Sequence, residues 1–252
     1  MVRNLCITLL ILVVSLGGCS DESQQADPQQ TENGERLGAY NLKTESTFNA
    51  HDFSRISTNI SRISGVDMKT IVALGDSLTA GFGVDLSESY PALLEKALQD
   101  NGYQYKVINA GVSGETSSGT LGRVEWILTQ NPDVVIVETG ANDGLRGVAT
   151  TLLEKNLCEI VALLQEANVE VLLTGMRMVW NLGPVYVAQF NAVYPRVAEE
   201  MAVELMPFFL EGVATNSTLN MADGLHPNSD GYRVIVENIY PYVVKAIDSV
   251  NR

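Results

Sequence analysis

The chain has 252 residues, 46% hydrophobic and 18% charged, with a formal net charge of -14. That length and apolar content suit one globular domain with a real core, or one domain plus a tether. The acidity and the lack of a Lys/Arg cluster argue against a nucleic-acid partner, because phosphate binding needs basic patches. Three cysteines without a C-x-x-C pair argue against a structural zinc site.

In chain order, Arg3 gives a short basic start. An apolar run, Leu5 to Leu16, follows and is broken only by Thr8 and Ser15. It is too short for a comfortable membrane span and has the layout of an export signal. Residues 1–18 are therefore expected to be a signal peptide. Residues 19–68 are expected to be a polar tether: Asp21 to Thr31 is rich in Gln, Asp, Glu and Ser and cannot bury enough apolar surface to order itself. Ile56, Ile60 and Ile63 have near-helical spacing, so this region could also hold a short helix.

From residue 69 to 250 the pattern is regular. Apolar, β-branched runs at Ile71–Leu74, Lys106–Asn109, Val134–Glu138, Val169–Thr174 and Val203–Pro207 predict strands. Between them, helical periodicity covers about 88–100, 117–130, 149–167, 186–201 and 229–248. Strands alternating with helices predict a five-stranded parallel sheet covered on both faces, with ligands beyond the carboxyl ends of the strands. Cys158 lies in the apolar run Leu157–Leu164 and is expected to be a small core residue.

The unusual residues fall where that architecture puts ligands. Gly75-Asp76-Ser77-Leu78 follows the first strand. Taken alone it reads better as a turn with a helix cap than as a serine held at a strand-to-helix turn. Serine needs a base to act as a nucleophile. The chain has two histidines. His51 lies in the weakly patterned N-terminal region. His226 lies in Asp223-Gly224-Leu225-His226-Pro227, where Asp223 can accept its Nδ1–H and fix the tautomer. Asp223 alone could equally be a turn residue. Asn109-Ala110-Gly111-Val112-Ser113-Gly114-Glu115-Thr116 and Gly140-Ala141-Asn142-Asp143 offer close-approach backbone N–H groups and an amide, the donors an oxyanion needs. Asp76 and Asp143 suit structural hydrogen bonding better than proton transfer.

These four segments, in this order, resemble the SGNH (GDSL) hydrolases. The resemblance covers about residues 69–250. It implies a flavodoxin-like three-layer α/β/α sandwich. It also implies Ser77 as nucleophile, Asp223 and His226 as its partners, an oxyanion hole of Ser77, Gly114 and Asn142, and no cofactor or metal. Leu74 to Gly81, Asn142 to Gly147 and Asp223 to Asn228 are similar to the thioesterase I, lysophospholipase L1 and arylesterase subgroup, as are Pro207-Phe208-Phe209 and the 181–190 region. In that subgroup the loop corresponding to Gly144 to Val148 is mobile and lines the acyl site. The implied activity is hydrolysis of carboxylic esters or thioesters, including lysophospholipids, by a monomer. Two alternatives are a carbohydrate O-acetylesterase of the cell envelope and a non-catalytic envelope lipoprotein.

Leu16-Gly17-Gly18-Cys19 resembles the lipobox of bacterial lipoproteins. It implies lipidation of Cys19 and a membrane anchor facing the periplasm. Ser20 is not the aspartate associated with inner-membrane retention, which favours the outer membrane.

Overall fold

The computed structural model describes residues 68–178 and 182–252. The signal and lipobox with Cys19, the tether up to residue 67, His51 and the helix expected around Ile60 lie outside the described residues, as does Asn181 at the start of the 181–190 region.

Five strands, β1 (Lys69–Gly75), β2 (Tyr105–Gly111), β3 (Val134–Glu138), β4 (Glu170–Thr174) and β5 (Glu204–Met206), form one sheet in the order β2-β1-β3-β4-β5. All neighbours are parallel. Central strands β1 and β3 are almost continuously buried, as expected for β-branched runs covered on both faces. Edge strand β2 has several half-buried and exposed positions. The chain winds outward from β1 to β2 and then reverses to β3 on the other side of β1. That reversal opens a crevice at the carboxyl ends of the strands. In register, Gly75 lies between Gly111 and Glu138. The segments that leave these three strands therefore emerge side by side.

The helices are α1 (Ser77–Ala80), α2 (Tyr90–Asp100), α3 (Ser117–Leu121), α4 (Val124–Leu128), α5 (Ala141–Leu145), α6 (Thr150–Glu166), α7 (Pro184–Asn191), α8 (Val193–Met201) and α9 (Ser229–Val250). Helices α2 and α9 pack together on one face. Helix α2 buries Tyr90, Leu94 and Leu98, a stripe at intervals of four. Helix α9 is capped by Asn228, whose side chain accepts from the N–H groups of Asp230 and Gly231. On the other face α6 packs against α3 and against α8, burying Leu153, Leu157, Ile160 and Leu164. The result is the expected three-layer α/β/α sandwich.

Two expected helices are each broken. The 117–130 segment divides into α3 and α4 around Gly122-Arg123. Arg123 turns inward there to bind Glu115 and the carbonyl of Gly75. The 186–201 segment divides into α7 and α8 at Ala192. Pro195 has no N–H for the Asn191 carbonyl, so a continuous helix would lose that bond and crowd the ring. Cys158 is half-buried on α6 and packs against the core rather than within it.

Candidate active site

The turn after β1 is set by close approach. A Cβ on Gly75 would lie 2.1 Å from Thr79 Oγ1 and 2.5 Å from Glu138 Oε2, so a glycine is needed for α1 to settle against β3. Asp76 caps α1. Its Oδ1 accepts from Leu78 N–H at 2.9 Å, and its own N–H donates to Glu138 Oε2 at 3.3 Å. Ser77 opens the helix, and among the described residues its N–H has no hydrogen-bond partner. Gly81, left-handed at φ 77°, ends the helix after one turn.

A second loop brings a base to Ser77. The His226 carbonyl accepts from Met221 N–H at 2.8 Å, and Gly224, at φ 68°, lets the chain turn between them. The loop winds around Asp223, whose Oδ1 accepts from the N–H groups of Leu225 (2.9 Å) and His226 (3.0 Å). Its Oδ2 lies 2.7 Å from His226 Nδ1, and His226 Nε2 lies 2.9 Å from Ser77 Oγ. A carboxylate only accepts, so the shared proton belongs on Nδ1 and Nε2 is free to accept from Ser77. The His226 side-chain bond, helped by two backbone N–H groups, lowers the Asp223 pKa to about 2. The Phe82 ring packs against the imidazole with centroids 4.6 Å apart.

Gly114 and Asn142 arrive from the neighbouring strand ends. Gly114 adopts φ 81° in the loop after β2, a conformation that favours glycine. Its N–H has no partner among the described residues, while its carbonyl accepts from Arg146 Nη2 at 2.8 Å. Next to it, Glu115 forms a bidentate ion pair with Arg123, and Arg123 Nη2 also donates to the Gly75 carbonyl at 3.1 Å. One guanidinium thus ties the Gly114 loop to the end of β1. Asn142, on α5, donates one Nδ2 proton to Asp76 Oδ2 at 2.9 Å. Its second amide proton remains available. Asp143 points the other way, accepting from Ser117 N–H at 2.8 Å and Ser117 Oγ at 2.6 Å.

These residues frame a cavity of about 490 Å³ with walls that include Leu78, Phe82, Leu145, Met176, Phe208 and Leu210. Leu145, in the Gly144–Val148 loop, and Phe208, in Pro207-Phe208-Phe209, are on its lining, while Phe209 is buried beneath. Phe82, Arg123 and Glu138 carry no sign in the sequence of their part in this site, and for Arg146 the sequence marks the loop but not the bond to Gly114. Each acts through contacts made between segments distant in the chain. Chemically, the arrangement offers an oxygen nucleophile in contact with a base, an acid that orients the base, and three unpaired donors facing an apolar cavity. That is what acyl transfer through a tetrahedral oxyanion requires.

The GDSL-like Lipase/Acylhydrolase family profile matches residues 73–234. The chain is 41% identical over 174 residues to Esterase TesA of Pseudomonas aeruginosa, spanning 69% of this chain and 87% of that protein. It is 40% identical over 169 residues to Thioesterase 1/protease 1/lysophospholipase L1 of Escherichia coli (strain K12), spanning 67% and 80% of the two. Among solved structures, that of TesA superposes with a TM-score of 0.68 at 40% identity, covering 71% of this chain and 99% of the other.

Proposed function

The chain belongs to the GDSL-like lipase/acylhydrolase (SGNH) family and is a carboxylic ester or thioester hydrolase; from that premise we propose that Ser77, His226 and Asp223 carry the reaction on acyl chains held in the apolar cavity. The observation that carries this is the run of contacts Asp223 Oδ2–His226 Nδ1 (2.7 Å) and His226 Nε2–Ser77 Oγ (2.9 Å). His226 Nε2 takes the proton as Ser77 Oγ attacks the carbonyl carbon. The N–H groups of Ser77 and Gly114 and the free amide proton of Asn142 stabilise the oxyanion. Asp223 stabilises the imidazolium, which then protonates the leaving alcohol or thiol. Water, deprotonated by His226, releases the acid from the acyl-enzyme in the same way.

The apolar lining favours medium or long acyl chains over acetyl. Lysophospholipids and small exogenous esters are the substrate classes we assign. The export signal and Leu16-Gly17-Gly18-Cys19 support lipidation of Cys19 and a place on the periplasmic face of a membrane, the outer one by the absence of aspartate at Ser20. Such a location keeps the enzyme from cytoplasmic acyl-CoA. A chain-length series of p-nitrophenyl esters with a lysophospholipid arm tests the substrate. A maximum at medium or long chains supports the assignment, and an acetyl-only optimum overturns it in favour of an O-acetylesterase. For location, Cys19→Ser should move the protein to the soluble fraction, and unchanged membrane association would contradict the anchor.

A further inference from the structure

Behind Ser77 lies an acid that hydrolysis does not consume. Glu138, the last residue of β3, is fully buried. Its Oε2 accepts from Thr79 Oγ1 at 2.7 Å and from Asp76 N–H at 3.3 Å. Its Oε1 has no hydrogen-bond partner, and neither has the buried hydroxyl of Tyr232. The titratable groups facing it are Asp76 on the nucleophile turn, Tyr90 from α2, Tyr194 from α8 and Tyr232 from α9. Among the described residues no cation pairs with it.

An ionised carboxylate in such a place, beside a second carboxyl and without a cation, costs far more than a neutral acid. Burial first, and Asp76 second, push the Glu138 carboxyl well above its ordinary range. The bonding is also that of a neutral acid. Both donors, Thr79 Oγ1 and Asp76 N–H, converge on Oε2, and none approaches Oε1, the oxygen left to carry an acid proton.

This arrangement decides which amide of the nucleophile turn stays free. Glu138 takes the N–H of Asp76, and Asp76 Oδ1 takes that of Leu78. The Ser77 N–H is left over. A neutral Glu138 does this without adding a second negative charge beside Asp76 at the helix start, where an oxyanion must form.

We propose that Glu138 is a positioning residue of the oxyanion hole that works as a neutral carboxylic acid, fixing the nucleophile turn through Oε2 and leaving Asp76 as the charged acceptor of Asn142. The proposal rests on Ser77, Gly114 and Asn142 being the reacting site. Its test compares Glu138→Leu with Glu138→Gln in the whole protein. Glutamine presents the same acceptor oxygen and replaces the acid O–H with N–H. Glu138→Leu should lower kcat on the order of 100-fold, the scale of a misplaced oxyanion donor, with KM within about threefold. Glu138→Gln should restore kcat to within about fivefold of wild type. Infrared spectra at about pH 8 should show a protonated-carboxyl C=O band in the wild type that is absent from Glu138→Gln. Near wild-type kcat in Glu138→Leu, a Gln variant as impaired as Leu, or no protonated-carboxyl band would each overturn the proposal. If the leucine variant does not fold, the Gln kinetics and the spectrum decide. A wild type inert toward all esters would defeat the functional reading instead, and the infrared band would still report on Glu138.

Discussion

Asn142 Nδ2 donates to Asp76 Oδ2 at 2.9 Å, so the amide that lines the cavity is held by the residue immediately before Ser77. The same carboxylate caps α1 through Leu78 N–H. One side chain therefore sets both the nucleophile turn and the orientation of Asn142. Burial raises the pKa of this group to about 6, against the bonds from Leu78 and Asn142 that lower it.

Asparagine at position 76 has one acceptor oxygen for those two donors. Asp76→Asn should lower kcat by roughly 10- to 100-fold, up to the lower end of the ~10²–10³ range for losing one oxyanion donor outright, with KM little changed. The stability effect depends on pH. The folded carboxyl binds its proton more tightly than the unfolded one, so wild-type stability falls as pH rises from about 4 to about 6. The Asn variant escapes that fall. The difference in Tm, variant minus wild type, should rise across this window, and a flat difference would count against a raised Asp76 pKa.

Asp223 behaves oppositely. Its pKa is lowered to about 2, so it is ionised throughout the working range, and its stabilisation is present above about 4 and lost as pH falls through about 2. Its side chain is 38% exposed, so the stabilising contribution is screened and the functional one dominates. Asp223→Asn should leave Tm at neutral pH within a few degrees of wild type. It should lower kcat by roughly 10³- to 10⁴-fold, because an amide does not hold the imidazole in the tautomer that frees Nε2. Steady-state kinetics and a melting curve on the same preparation check both.

Gly111 is pressed against α1: a Cβ there would lie 2.1 Å from Ala80 N and 2.7 Å from Thr79 C. Backbone cannot yield as a side chain tip can. Gly111→Ala should destabilise by about 1–3 kcal/mol, the cost of overpacking. It should also lower kcat, because relief requires moving the helix that starts at Ser77. Loss of stability with unchanged kcat would mean that the strain relaxes away from the site.

Arg146 joins the loop after Asn142 to the Gly114 carbonyl at 2.8 Å from an exposed position. Arg146→Ala should reduce kcat/KM several-fold through a looser Gly114 N–H, with Tm changed by no more than a degree or two, as for an exposed bond. Arg146→Lys restores a donor without the planar fork and should fall between the two.

The sequence made the sheet and the positions of Ser77, Gly114, Asn142, Asp223 and His226 visible because β-branched runs mark the strands, and a parallel sheet presents the loops at its carboxyl edge. Helices α2, α6 and α9 were visible through their apolar stripes. The breaks at Arg123 and Ala192 were not, since periodicity averages over a residue that turns inward for an ion pair or lacks one N–H. Glu138 was hidden for a related reason: at the end of Val134–Glu138 it reads as the polar stop of a strand. Its partners Thr79 and Asp76, and its neighbour Tyr232, come from elements that meet only in three dimensions. Asp143 accepts from Ser117, and that pairing likewise has no local signature.

The central claim, that Ser77 is the nucleophile of an ester hydrolase, is tested most directly by p-nitrophenyl ester hydrolysis with purified wild type and Ser77→Ala, matched in folding by circular dichroism. Removing a nucleophile of this kind should lower kcat by several orders of magnitude, to roughly the 10³- to 10⁴-fold residual over water that donors and binding alone provide. A folded Ser77→Ala protein with turnover near that of wild type would contradict the account.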